Sequence, residues 1–212
     1  MRRLPGLLVG LVGFGLRIAL MAQAGLGLGP WEALNQGVGL RVGIPMGSAS
    51  ILLGIPILLC WIPLRESPGP GTLLNIVLIG LATNLGLLLF PSPPPDAWAW
   101  RLTQMMAGIL VIGTASGLYL AADLGPGPRD GLMTGIHHRF GWSIARARLV
   151  IEVSVLGVGW LLGGTVGIGT VAFAFGIGPI VQVALGFFDR DGRVMRRRRA
   201  SDEEPVPAEG AA

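Results

Sequence analysis

Six apolar runs divide the chain, at 4–25, 46–64, 72–90, 102–122, 146–164 and 168–188. Short connections rich in Gly and Pro separate them, such as Ser67-Pro68-Gly69-Pro70-Gly71 and Pro91-Ser92-Pro93-Pro94-Pro95. Each run holds 19 to 22 residues, and a helix needs ~20 apolar residues to cross ~30 Å of hydrocarbon. The pattern predicts an all-α membrane protein with six transmembrane helices.

Sliding the sequence by 98 residues exposes a second level of order. Positions 3–90 and 101–188 match at 24 of 88 places without a gap, among them Gly27/Gly125, Gly29/Gly127, Pro30/Pro128, Gly37/Gly135, Gly43/Gly141, Thr72/Thr170 and Gly80/Gly178. An internal repeat of this kind is settled before any fold is assigned. It divides the chain into a first membrane repeat (1–95), a second (96–188) and a tail (189–212), with three long helices in each repeat.

Between the first and second long helix of each repeat lies a shorter, more polar segment. One copy reads Gly29-Pro30-Trp31-Glu32-Ala33-Leu34-Asn35-Gln36-Gly37 and the other Gly127-Pro128-Arg129-Asp130-Gly131-Leu132-Met133-Thr134-Gly135. Pro in the first turn, with an acid beside it, is favourable chemistry for a helix start. Each copy predicts an extra helix of ~10–14 residues ending near Gly43 or Gly141, at ~15–21 Å too short to span comfortably. Two readings fit it: an interfacial capping helix, or a re-entrant helix lining a cavity, where irregular backbone at membrane depth is permitted.

Composition sharpens the class. Only 13% of residues are charged, about half the share of a soluble domain, and the mean hydropathy is +0.66. All 16 basic residues are Arg, and six of them (190, 193, 196–199) sit in the tail. That cluster reads as a cytoplasmic anchor beside anionic lipid rather than as a nucleic-acid surface. Residues 1–25 imitate a secretory signal, but Arg17 and the uncleaved counterpart in the second repeat make them a first span. The single Cys60 excludes a disulfide framework, and no metal or cofactor is expected.

With six spans and both termini inside, 13 Arg lie inside and two outside, as positive-inside topology requires. Three spans per repeat would make the repeats inverted. If both short segments also crossed, eight spans and parallel repeats would give the same tally. The polarity and shortness of those segments favour six.

Ionisable groups inside spans are costly and point to function. Arg17 falls ~18 Å into the first span and Glu152 ~9 Å into the fifth, so a direct pair demands a long reach. Arg17 can instead meet Glu32 or helix-end carbonyls. Asn84 and Gln182 occupy matching positions near mid-bilayer, either as a shared polar centre or as interhelical glue. Trp31, Glu32, Asn35, Asn84, Arg129, Asp130 and Gln182 are the candidate cavity residues, with Arg17 and Glu152 as intramembrane charges. His137 and His138 point ~100° apart on a helix and lack further ligands, so an interfacial place suits them better than a metal. Trp31, Trp61, Trp98, Trp100, Trp142 and Trp160 suit an interfacial belt. No nucleophile elbow, phosphate loop or catalytic pair is present, so an enzyme is not expected.

The stretch Leu28-Gly29-Pro30-Trp31-Glu32-Ala33-Leu34-Asn35-Gln36-Gly37, followed by Gly43-Ile44-Pro45-Met46-Gly47, resembles the YczE/YyaS/YitT family of bacterial membrane proteins. Glu32 stands where the family pattern has Asp, Val42 and Pro45 where it has Thr and Ser, and Arg129 where a second Trp would stand. The resemblance covers roughly residues 4–188. It implies a multi-pass protein of the bacterial plasma membrane and carries over no residue roles. The expected function is a small-solute transporter or permease. The alternatives are a non-transporting scaffold acting through its helices or basic tail, and a substrate-binding subunit of a larger transporter. The lipid bilayer and a small solute are the expected partners, self-association is open, and nucleic acid is excluded.

Overall fold

The computed structural model describes residues 4–122 and 127–188. Among them the chain is all helical: α1 (Leu4–Ala24), α2 (Pro30–Val42), α3 (Met46–Leu64), α4 (Pro70–Leu89), α5 (Trp98–Ala122), α6 (Pro128–Phe140), α7 (Ile144–Leu161) and α8 (Ile168–Phe188). The arginine tail after residue 188 lies outside the described residues.

Local chemistry sets the short helices. α2 and α6 each run 13 residues from a Pro, with Glu32 or Asp130 in the first turn. Each ends on a left-handed Gly, Gly43 at φ 75° and Gly141 at φ 69°, a conformation that favours glycine over any side chain.

Composition alone qualifies three described helices as spans: residues Pro5–Ala24 of α1, Met46–Leu64 of α3 and Pro70–Leu89 of α4. The described part of α8 contributes a shorter apolar stretch, Ile168–Val181. α7 carries three charges, Arg146, Arg148 and Glu152, more than a purely apolar span holds. Large apolar side chains nevertheless stand exposed along the long helices, for example Ile62, Leu88, Val153, Leu161 and Phe175. Exposed apolar surface of that extent marks contact with lipid.

α1 is the central helix, packed along both α4 and α5. A Cβ on Gly15 would strike Ala82, Thr83 and the Ile79 carbonyl; one on Gly86 would strike Ala19. Gln23, near the end of α1, donates to the Leu87 and Phe90 carbonyls at the end of α4 (2.9 and 2.8 Å). These levels run together, so α1 and α4 are parallel. Against α5 the order reverses: Gly13 meets Ala115, Gly108 meets Met21, and Arg101 donates to the Ala24 and Gly25 carbonyls. α1 and α5 are antiparallel. α3 also opposes α4, since Gly47 faces Gly80 and Asn84 while Gly54 faces Ile76.

α8 packs on α5, and the short helices bridge the halves of the chain. α2 packs on α7 as well as on α3, and α6 packs on α3 as well as on α7. A Cβ on Gly159 would meet Ala33 and Leu34, whereas Gly6 has open space around it.

Candidate functional site

α1 ends at Ala24, yet α2 starts beside Arg17, about two turns back along α1. The segment 25–29 makes that descent. Its backbone is satisfied by the segment before α8: Leu28 N–H donates to the Thr165 carbonyl (3.0 Å) and Gly169 N–H to the Leu26 carbonyl (2.8 Å). The Gln36 side-chain oxygen accepts from Thr165 N–H (2.7 Å). Gly27, at φ 124°, sits where a Cβ would strike Gly167 and Thr170. Irregular backbone inside a membrane protein needs protein partners, and Leu26 and Leu28 find them here.

The descent delivers Glu32 to Arg17. Glu32 Oε1 accepts from the Arg17 guanidinium and from that of Arg129 on α6, each at 3.0 Å. Arg17 and Glu32 are both 1% exposed. The guanidinium carbon of Arg17 also lies 4.5 Å from the centre of the Phe14 ring and 5.0 Å from that of Phe173. Two aromatic faces and a carboxylate replace the water a buried cation has lost. Arg129 sits 5.1 Å from the centre of the Trp31 ring.

This triad forms one wall of a cavity of about 390 Å³. The first turns of α2 and α6 both open onto it, through Pro30, Trp31, Glu32 and through Pro128, Arg129, Asp130. α1, α3, α4, α7 and α8 complete the lining. Many lining residues come in pairs 98 positions apart: Pro30/Pro128, Trp31/Arg129, Glu32/Asp130, Asn35/Met133, Ser50/Arg148, Gly54/Glu152, Asn75/Phe173 and Ile79/Ile177. Arg17 has Ala115 as its counterpart. α3 packs along α4, whereas α7 makes no comparable contact with α8 among the described residues. On that flank the lining is more open: Arg148, bonded to Glu152 at 2.9 Å, is 55% exposed.

Of the candidates from the sequence, the cavity brings together Trp31, Glu32, Asn35, Arg129, Asp130, Arg17 and Glu152. Arg17 pairs with Glu32 and not with Glu152, because the descending segment brings Glu32 to its depth. Asn84 is not in the lining. Its amide binds the first turn of α3, accepting from Gly47 N–H and donating to Ser48 Oγ (both 2.9 Å), the interhelical glue. The Gln182 side chain lies outside the described residues. Trp31 and Trp61 are buried rather than interfacial; Trp61 Nε1 donates to the Pro128 carbonyl at 3.1 Å, tying α3 to the start of α6. His138 meets Glu66 at 3.2 Å and His137 the Trp142 carbonyl at 2.6 Å. Sequence reasoning missed Ser50, Asn75 and Arg148 as lining; the 98-residue offset pairs Ser50 with Arg148 and was the available signal.

The comparisons with known proteins agree with a membrane class. The model of the "Family of unknown function (DUF6198)" matches residues 1–185. The chain belongs to this family. It is similar to a Haemophilus influenzae "Uncharacterized protein", 43% identical over 83% of this chain and 80% of the relative. It is also similar to the Bacillus subtilis "Uncharacterized membrane protein YczE", 32% identical over 82% of this chain and 80% of that one. The B. subtilis "Uncharacterized protein YyaS" is 25% identical over 90% of this chain and 96% of its own length. The resemblance carried by the Gly-Pro-Trp-Glu segment therefore holds for YczE and YyaS. No solved structure matches. The chain is a membrane protein of the DUF6198 family.

Proposed function

We propose that this protein is a small-solute transporter of the bacterial plasma membrane, built from two inverted repeats that share one central solute site. One observation carries the reading: the cavity is walled by the first turns of α2 and α6 and by residues paired across the 98-residue offset. Short helices whose N-termini converge on a cavity between repeats are the usual construction of solute sites in transporters. The opposed directions of α1 and α5, which are counterparts under that offset, support inversion. They favour six crossings, with α2 and α6 entering and returning on the side they came from. The intramembrane charges Arg17 and Glu32 support a site rather than a scaffold, since burying ions in lipid is costly without use.

The test is uptake. Purified protein in proteoliposomes, incubated with a low-mass metabolite extract, accumulates one or more solutes above protein-free vesicles, as read by mass spectrometry. Ser50→Trp, which fills the cavity from α3, abolishes that accumulation, and deleting residues 190–212 leaves it intact. A wild-type profile identical to that of empty vesicles overturns the reading.

A further inference from the structure

The cavity wall holds donors that the protein itself does not use. Trp31 Nε1 and Arg17 Nε are buried without a hydrogen-bond partner among the described residues, and both residues line the cavity. Trp31 is 7% exposed and Arg17 1%, so neither group is satisfied from outside. An indole N–H and a guanidinium N–H donate and never accept, and a buried unmade hydrogen bond is costly. What completes them is an acceptor. Arg129 adds a third donor group on the same wall, 26% exposed, and the first turns of α2 and α6 add the partial positive charge of helix N-termini.

The acids on the wall do not cancel this preference. Glu32 is held by two guanidiniums, and Glu152 is paired with Arg148; Asp130 stands exposed on the first turn of α6. The same lining holds apolar groups: Leu53 and Ile57 of α3, Ile76 and Ile79 of α4. A volume of about 390 Å³ is at the small end of ligand pockets.

We infer that the cavity takes a small organic solute with a carboxylate or similar oxyanion head, received by Trp31 Nε1, Arg17 Nε and Arg129, and an apolar body lying against α3 and α4. The assignment rests on the transporter reading and names its substrate class.

The probe set is benzoate, benzamide and benzylammonium, alike in size and different in charge. Binding is read by thermal unfolding and tryptophan fluorescence of the full chain in a maltoside detergent, which carries no anionic group. Benzoate raises the melting temperature saturably and the other two do not. Trp31→Phe keeps the ring beside Arg129 and removes the N–H, weakening benzoate about ten-fold, the value of one charge-assisted hydrogen bond. Trp98→Phe, outside the cavity, leaves it unchanged. Arg129→Gln abolishes it while Arg17 still neutralises Glu32, a second variant should Trp31→Phe fold poorly. Equal shifts with benzylammonium, no shift with any probe, or unchanged affinity in both variants overturn the assignment. A benzoate effect that appears only when anionic lipid is removed points to a headgroup as the natural occupant and overturns the free solute. Benzoate binding without uptake in proteoliposomes overturns transport alone; uptake restricted to cations overturns the anion assignment alone.

Discussion

Glu32 shares one carboxylate oxygen between two guanidiniums, and each substitution at the triad has a different expected cost. Glu32→Gln strands the Arg17 charge at 1% exposure; removing one partner of a buried pair costs ~3–5 kcal/mol. Thermal unfolding of the purified variant measures it. Arg17→Met combined with Glu32→Gln recovers much of that loss, because the one fully buried charge is gone and Arg129, 26% exposed, reaches solvent; strictly additive losses would sink the pairing. Asn84→Ala removes two hydrogen bonds at the start of α3 and costs about 1–2 kcal/mol, without effect on solute uptake. The ions themselves were legible in the sequence as charges where lipid tolerates none. Their pairing was legible only as one option among Glu152, Glu32 and helix-end carbonyls, since helix arithmetic places Glu32 beyond the end of α1 and does not register a chain that turns back. Trp31 fitted both a cavity and an interfacial belt in the sequence, and the descending segment carries it to the cavity.

At the scale of elements, α2 and α6 are counterparts held in different ways. Where α2 meets α7, Gly159 lets the backbones touch, and a Cβ there would sit 2.5 Å from Leu34 N. The counterpart of Gly159 is Trp61, whose indole fills the space over Gly131 where α6 meets α3. Gly159→Ala is expected to lower the melting temperature and weaken solute uptake by shifting α2. Gly157→Ala, with open space around its Cβ site, is expected to be neutral or slightly stabilising through helix propensity. The ratio of the two melting temperatures is the readout. Helix starts and stops were legible throughout: Pro30 and Pro128, Gly43 and Gly141 delimit their helices as the sequence predicts. Which helices pack together was not, because glycine spacing in a Gly-rich chain does not say which neighbour approaches.

For the whole molecule, the sequence left the direction of the halves open, since the arginine tally is the same for six and eight crossings. Packing registers add what charge counting lacks: the levels at which Gly13, Gly108 and Arg101 meet their partners set α5 antiparallel to α1, which supports the proposed six crossings. In a background where Cys60 is replaced, Arg41→Cys is therefore expected to react with an impermeant thiol reagent from outside, and Arg139→Cys only after the membrane is opened. Labelling of neither from outside would mean that α2 and α6 cross.

Arg17 has a consequence for how a solute sits. Two identical halves would enclose a space with a two-fold axis, and any guest could enter it in two equivalent poses, head toward either half. With Ala115 opposite Arg17, the two poses in the proposed site are not equivalent, since only one brings the head of the guest to a buried guanidinium. Joining the halves in one chain would thus give the proposed site a polarity that a symmetric pair cannot have, so that a guest would present the same end to the same face on every visit.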